Sequence, residues 1–134
     1  MEKHGGIMKY IAIGLAGAAG AILRYLTGLA GTISGFPAGT FIANMSGCFL
    51  LAFLTAGVFK MDQFPKNLAA PIGTGLIGSY TTFSAFSLES VQLFEGNRFD
   101  LALLYIAVSG LLGLALAIAG YRAGNVLLER REQR

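Results

Sequence analysis

The sequence predicts an all-α integral membrane protein, and three observations support this fold class. The 134 residues are 54% hydrophobic and 13% charged, about half the charged share of soluble proteins. Several stretches carry no charge, and about 20 apolar residues suffice for a helix to cross a hydrocarbon core about 30 Å thick. Short connections separate these stretches. We therefore predict a single transmembrane domain, residues 1–134, with four spans at about 7–30, 38–59, 67–90 and 100–121.

Lys3 and Lys9 precede the apolar run of the first predicted span, as basic residues also do in a signal peptide. Three further spans follow it, which favours an uncleaved helix. Helices in lipid associate by close approach at small residues. The small residues of the first and fourth spans therefore predict helix packing; they are Gly14, Gly17, Gly20, Ser109, Gly110, Gly113, Ala117 and Gly120.

The ten basic residues predict the orientation of the chain. Four spans place the N-terminus, the 60–66 loop and the C-terminus on one side of the membrane. Because basic residues favour the cytoplasmic side, both termini are expected in the cytoplasm. That side carries Lys3, Lys9, Lys60, Lys66, Arg122, Arg130, Arg131 and Arg134, and the other side carries Arg24 and Arg98.

Polar residues inside the spans are the candidate functional residues, because an unpaired polar group in lipid costs free energy. Thr40 and Asn44 share a helix face with Gly47, and Tyr105 shares one with Ser109. Two interpretations of Asn44 stay open: a hydrogen bond between helices, or a donor that lines a pathway. Arg24, near the outer end of the first span, is expected to have a structural role.

The stretch GSYTTFSAF, residues 78–86, predicts a break in the middle of the third helix. Glycine, β-branched residues and hydroxyls in series weaken a helix. Irregular backbone at this depth must face protein or a polar cavity. Freed carbonyls there suit a hard cation, and freed amides suit an anion. Phe83 and Phe86 lie on one face just beyond the break, where ordinary aromatic packing is the competing interpretation.

Other function classes receive little support from the sequence. His4 and Cys48 are far apart and belong to no catalytic cluster, so the protein is not expected to be an enzyme. The net charge of +3 is not concentrated in a patch, which argues against nucleic-acid binding. The main alternative is a subunit of a small four-helix multidrug exporter. Such an exporter needs a carboxylate inside the membrane, whereas Glu89 lies at the end of a span.

Three motifs resemble the Fluc (CrcB) family of small fluoride channels. Residues 17–25 read GAAGAILRY, residues 37–47 read PAGTFIANMSG and residues 75–86 read GLIGSYTTFSAF. They match the family patterns GxxGAxxRY, PxGTxxxNxxG and a glycine-rich run followed by TTFSxF. With Glu89 and Ser109, the resemblance covers all four spans in order.

The resemblance implies a fluoride-specific channel that exports fluoride passively across the plasma membrane and lowers its cytoplasmic concentration. Family members are dual-topology antiparallel dimers with two fluoride pathways and a central sodium ion that is structural and not transported. At the matching positions, main-chain oxygens of Gly78 and Thr81 would hold the sodium ion, and Arg24 and Thr40 would be structural. The implied fluoride pathway comprises Asn44, Thr82, Phe83, Phe86, Glu89, Tyr105 and Ser109.

The sequence also departs from the family pattern. Ser79 stands where a second glycine is frequent, Ala85 where threonine is frequent, and Gly113 where some members have serine. The charge bias is a further departure, because a chain that inserts in both orientations should have balanced ends. The partner is therefore either a second copy of this chain or an oppositely oriented relative.

Overall fold

The computed structural model describes residues 2–133, and within them it forms helices joined by short loops, with a single isolated β-bridge between Ile33 and Phe36. The prediction of an all-α fold is confirmed. Arg134, which the orientation argument includes, lies outside the described residues, as do the side chains of Lys3 and His4. Three long helices cross the fold: α1 (Glu2–Gly28), α2 (Ala38–Ala56) and α5 (Phe99–Glu132).

The remaining crossing is a broken helix, as the sequence predicts. A 3₁₀ turn at Lys66–Leu68 leads into a π-helix at Pro71–Ile77, which continues as one α-helical turn, α3 (Gly78–Tyr80). Helix α4 (Phe83–Glu95) follows after two extended residues. The π-helix was not predicted. It makes most of the first half of this crossing depart from regular α-helical geometry. π-Turns are rare and are frequent at functional sites.

Helix α5 is longer than the span predicted for it. The charge at Arg122 limits the apolar segment, but the helix continues to Glu132. At about 1.5 Å per residue, its 34 residues measure about 51 Å, more than a hydrocarbon core requires. Leu, Glu and Arg favour helix beyond the apolar segment, and Arg130 and Arg131 in the last turn complement the helix dipole.

Glycines bring the helices into close contact in two pairs. Helix α1 packs along the π-helix and α3, and α2 packs most extensively along α5. A methyl group on Gly20 would overlap the Leu76 carbonyl, and one on Gly120 would overlap the Phe49 carbonyl. The packing prediction is confirmed at these positions. It is not borne out within this chain at Gly14 and Gly110, which face open space.

Two contacts show which ends of the helices lie together. At one end, the Arg98 guanidinium donates to the Ser34 carbonyl. At the other, Gly57 lies against Gly124. Within residues 2–133, three uninterrupted helices are long and apolar enough to cross a membrane. The broken helix lies between α2 and α5 in sequence and is the remaining crossing of the fold.

Candidate ion pathway at the helix break

The break consists of Thr81 and Thr82, both with extended backbone. Thr81 has φ −81° and ψ 158°, and Thr82 has φ −151° and ψ 123°. β-Branched residues favour this region of φ/ψ space. The threonines therefore end α3 and begin α4 without strain.

Asn44 of α2 bonds both main-chain groups of Thr82. The Asn44 amide Nδ2 donates to the Thr82 carbonyl at 2.9 Å, and the Thr82 N–H donates to Asn44 Oδ1 at 2.8 Å. In a continuous helix the Thr82 N–H would instead bond the carbonyl of Gly78. Asn44 therefore accepts the hydrogen bond that the Thr82 N–H would donate in a helix. The carbonyl of Gly78, an exposed residue, does not receive that bond.

Thr82 also caps the second half of the helix. Its Oγ1 accepts from the Ala85 N–H at 3.2 Å, and it lies 3.2 Å from Ser84 Oγ. This is the N-cap arrangement expected for threonine. The first-turn amides of Phe83 and Ser84 have no carbonyl partner within α4. They point toward the break, and the helix dipole there favours an anion.

The polar face of α2 lies along the broken helix from Thr81 to Glu89. At one position Thr40 bonds Glu89, at the next Asn44 bonds Thr82, and at the third Gly47 leaves room for the methyl group of Thr81. The hydroxyl of Thr81 donates back to the Ile77 carbonyl at 3.0 Å. The Thr81 carbonyl belongs to the extended segment and is not part of a helix.

Glu89 accepts hydrogen bonds from two hydroxyl groups. Thr40 Oγ1 donates to one carboxylate oxygen at 2.6 Å, and the Tyr105 hydroxyl donates to the other at 2.8 Å. Tyr105 is fully buried. Because a carboxylate only accepts hydrogen bonds, both hydroxyl protons point at Glu89.

The two phenylalanines differ in their surroundings. Phe83 is 80% exposed, whereas Phe86 is half-buried and its ring centroid lies 5.2 Å from that of Tyr105. The rings of Phe83 and Phe86 are 5.9 Å apart and tilted by 41°. The exposed ring thus continues a row of aromatic side chains that begins inside the protein.

One groove opens at the helix break and another beside the loop between α1 and α2. The break groove, about 550 Å³, is lined by Asn44, Met45, Gly47, Cys48, Leu51, Thr81, Thr82, Phe83, Phe86, Ile106, Ser109 and Gly110. The loop groove, about 340 Å³, is lined by Gly28, Gly31, Thr32, Gly35, Pro37, Gly39, Thr40, Glu89, Gln92 and Leu93. Five of the seven predicted pathway residues line the break groove, and Glu89 lines the loop groove. Tyr105 lines neither groove.

The remaining predicted residues lie elsewhere. Arg24 is exposed on α1, and its side chain makes no hydrogen bond within residues 2–133. Ser79 packs against α1, where its side chain lies close to Gly17 and Gly20. Gly113 packs against Met45. The roles predicted for Gly78, Thr81 and Arg24 stay predictions.

One site residue was missed by the sequence analysis. The Tyr80 hydroxyl lies 3.0 Å from Ser46 Oγ, and Ser46 Oγ lies 2.7 Å from the Ile42 carbonyl, to which it donates. Tyr80 therefore donates to Ser46 and ties the last turn before the break to α2. The spacing of Ser46 two residues after Asn44 gave no signal, because residues two apart do not share a helix face.

The break offers main-chain oxygens to a cation. No group of three or more His, Cys, Asp or Glu within residues 2–133 could hold a metal ion. The Gly78 carbonyl, freed of its helical donor, and the carbonyl of the extended residue Thr81 are oxygen donors of the kind that hard cations prefer.

Comparison with known proteins identifies the family. Residues 11–121 match the family model described as CrcB-like protein, Camphor Resistance (CrcB). The chain is 44% identical over 126 residues to fluoride-specific ion channel FluC 1 of Bacillus thuringiensis subsp. konkukian, which covers 90% of each chain. It is 44% identical over 128 residues to FluC 2 of Geobacillus kaustophilus, covering 93% of this chain and 98% of that protein. FluC 1 of Staphylococcus aureus NCTC 8325 is 40% identical over 120 residues, covering 90% and 99%. A family match over most of the chain, with relatives of this identity, shows that the protein belongs to the CrcB (Fluc) family of membrane proteins.

Proposed function

We propose that the protein is a fluoride-specific ion channel that lets fluoride leave the cytoplasm passively across the plasma membrane. The similar proteins bear the name of such a channel. The observation that carries the proposal is the helix break, where Asn44 and Thr82 lie in one groove with Ser109 and both phenylalanines.

The break groove offers the chemistry that a dehydrated fluoride ion needs. A pore must replace the water around the ion with donors. Asn44 has a second amide N–H beyond the one bonded to Thr82, Ser109 has a hydroxyl, and the first turn of α4 has free amides. The positive edges of Phe83 and Phe86 add a weak attraction for an anion.

Charge in the groove is low, which favours conduction over retention. None of the described residues that line the break groove is Lys or Arg. A full positive charge in a dry site would bind the ion strongly, whereas conduction requires binding weak enough for release. Neutral donors and ring edges meet that requirement.

The Glu89 cluster forms the other part of the proposed pathway. The hydroxyls of Thr40 and Tyr105 both donate to the carboxylate. An anion that approaches Tyr105 must therefore compete with Glu89 for the hydroxyl proton. The same two bonds argue against a proton-coupled multidrug exporter, because a carboxylate that carries protons and cations has to be free to exchange them.

A structural sodium ion, not transported, is proposed at the break. The carbonyls of Gly78 and Thr81 would coordinate it, and equivalent oxygens of a second subunit would complete the coordination, since hard cations take about six oxygen ligands. A fixed central cation would supply positive field near the pathway without placing it in the path of the ion.

An antiparallel dimer is proposed as the working unit. The break groove opens on the surface of the chain and Phe83 is 80% exposed, so a second subunit is needed to close the pathway. Either this chain inserts in both orientations, or an oppositely oriented relative supplies the second subunit. The bias of basic residues favours the relative.

Anion efflux from liposomes tests the function. The purified protein should release fluoride and not chloride, with empty liposomes as the control. Because the chain alone could lack its partner, the measurement is repeated with a co-expressed relative. Absence of fluoride release under both conditions would overturn the proposed function.

Topology mapping decides the nature of the partner. A unique cysteine is introduced near each terminus of a Cys48→Ala variant expressed alone, and labelling is measured from both sides of the membrane. Labelling from the cytoplasmic side only indicates one orientation and hence a relative as partner. Equal labelling from both sides indicates a homodimer.

A further inference from the structure

A row of five aromatic rings runs from the helix break to the loop between α1 and α2. Its members are Phe83, Phe86, Tyr105, Phe36 and Phe41 in that order. The successive centroid distances are 5.9, 5.2, 5.3 and 5.2 Å. Phe36 comes from the loop, and it is the member that connects the buried Tyr105 to Phe41 of α2.

The loop backbone holds Phe36 in place. Ile33 and Phe36 exchange two main-chain hydrogen bonds of 2.9 Å. Between them Ser34 and Gly35 have positive φ values of 54° and 86°, which is the geometry of a tight hairpin turn. The Phe36 carbonyl also accepts from the Ala38 N–H at the start of α2. Phe36 therefore enters the row of rings from a fixed turn.

Arg98, in the loop between α4 and α5, contacts this turn. Its guanidinium donates to the Ser34 carbonyl at 3.3 Å. A side chain on Gly35 would approach the same guanidinium to 2.8 Å, so glycine at this position leaves room for the contact.

Tyr105 is held on both sides. Its ring meets Phe86 at 5.2 Å on one side and Phe36 at 5.3 Å, nearly perpendicular, on the other. The residue has 0% exposure, and its hydroxyl lies 2.8 Å from Glu89. A displacement of the ring would carry the hydroxyl oxygen away from Glu89, so the ring contacts with Phe86 and Phe36 help to fix the position of that oxygen.

We propose that Phe36 is a positioning residue for the anion pathway: it packs on Tyr105 and so keeps the Tyr105 hydroxyl on Glu89. The loop of residues 29–37 thereby contributes to permeation without touching the break. This inference rests on the proposed function.

Fluoride efflux from Phe36→Leu protein tests the inference. The variant loses two aromatic pairs, and loss of the pair with Tyr105 should lower flux by about three- to tenfold. Phe41→Leu is the matched control, because Phe41 packs on Phe36 and does not pair with Tyr105; its flux should stay within about twofold of the unmodified protein, given that its effect on Tyr105 is indirect. Phe36→Tyr keeps the ring and should restore flux.

A double-mutant cycle separates positioning from general structural damage. If Phe36 acts through the tyrosine hydroxyl, Phe36→Leu should change flux by less than about twofold in a Tyr105→Phe background. Losses that simply multiply would overturn the inference, as would unchanged flux in Phe36→Leu. Absence of fluoride flux in the unmodified protein, both alone and with a co-expressed relative, would instead overturn the proposed function.

Discussion

Asn44 supplies both hydrogen bonds that hold Thr82 outside a helix, with its amide nitrogen 2.9 Å from the Thr82 carbonyl and its amide oxygen 2.8 Å from the Thr82 nitrogen. One side chain on α2 therefore satisfies the donor and the acceptor that a break exposes inside a membrane. The broken helix and α2 form one unit at this point, and changes in either should affect both folding and permeation.

Replacement of Asn44 by alanine should abolish fluoride flux and lower the free energy of unfolding by about 2 kcal/mol or more. Two main-chain groups lose their partner, at about 1–3 kcal/mol each. Thermal unfolding in detergent and liposome efflux measure the two effects. Asn125→Ala is the matched control, because Asn125 lies on α5 away from both grooves. Flux and stability of Asn44→Ala equal to those of the control would contradict the role of Asn44.

Replacement of Phe83 or Phe86 by isoleucine should lower fluoride flux by about tenfold while dimers persist. Isoleucine keeps the apolar volume but has no quadrupole with a positive edge. Efflux gives the rate, and size-exclusion chromatography gives the assembly state. Phe94→Ile provides the control, since the Phe94 ring pairs with Phe99 and not with the break. If both variants conduct like the control, the two rings serve packing alone.

Alanine substitutions on α1 should distinguish packed from open glycines. Gly20→Ala forces a methyl group into the Leu76 carbonyl and should destabilise the protein by about 1–3 kcal/mol. Gly14→Ala, six residues earlier on the same helix, meets nothing within 4 Å in this chain. It should leave the unfolding temperature unchanged or slightly raised, because alanine favours helix. An equal loss in both variants would place Gly14 in an interface with the partner subunit.

Removal of sodium should reduce fluoride flux if the carbonyls of Gly78 and Thr81 hold a structural cation. The ion stabilises the state to which it binds, so replacement of sodium by a large organic cation on both sides should also lower the unfolding temperature of the dimer. Readdition of sodium should restore both properties. Flux and unfolding temperature that do not respond to sodium would exclude the proposed site.

The break itself was predictable because its causes are local. Gly78, Thr81 and Thr82 weaken a helix through backbone freedom and β-branching, and these effects require no tertiary contact. The shared face of Thr40, Asn44 and Gly47 was equally predictable from helical spacing. The partners of this face were not predictable, because the sequence does not show that Asn44 bonds the main chain of Thr82.

Phe36 and Tyr80 show where local patterns gave no indication of a role. Phe36 lies in a loop, far in sequence from the Tyr105 ring that it contacts. Tyr80 lies inside the predicted break, but the direction of its hydroxyl toward Ser46 depends on how α2 is rotated. Helix rotation and register are set by packing across the whole bundle and leave no periodic signal in either segment.

The sequence alone determined that the chain crosses the membrane in apolar helices and that one of them is interrupted near residues 78–82; the structure narrows the break to Thr81 and Thr82. These features follow from the transfer of side chains into lipid and from the φ/ψ preferences of individual residues. Only the tertiary structure decided which groups meet: Asn44 with Thr82, Thr40 and Tyr105 with Glu89, and Phe36 with Tyr105. Hydrogen bonds and ring contacts act over a few ångströms, so they depend on the rotation and register of helices that no single segment specifies.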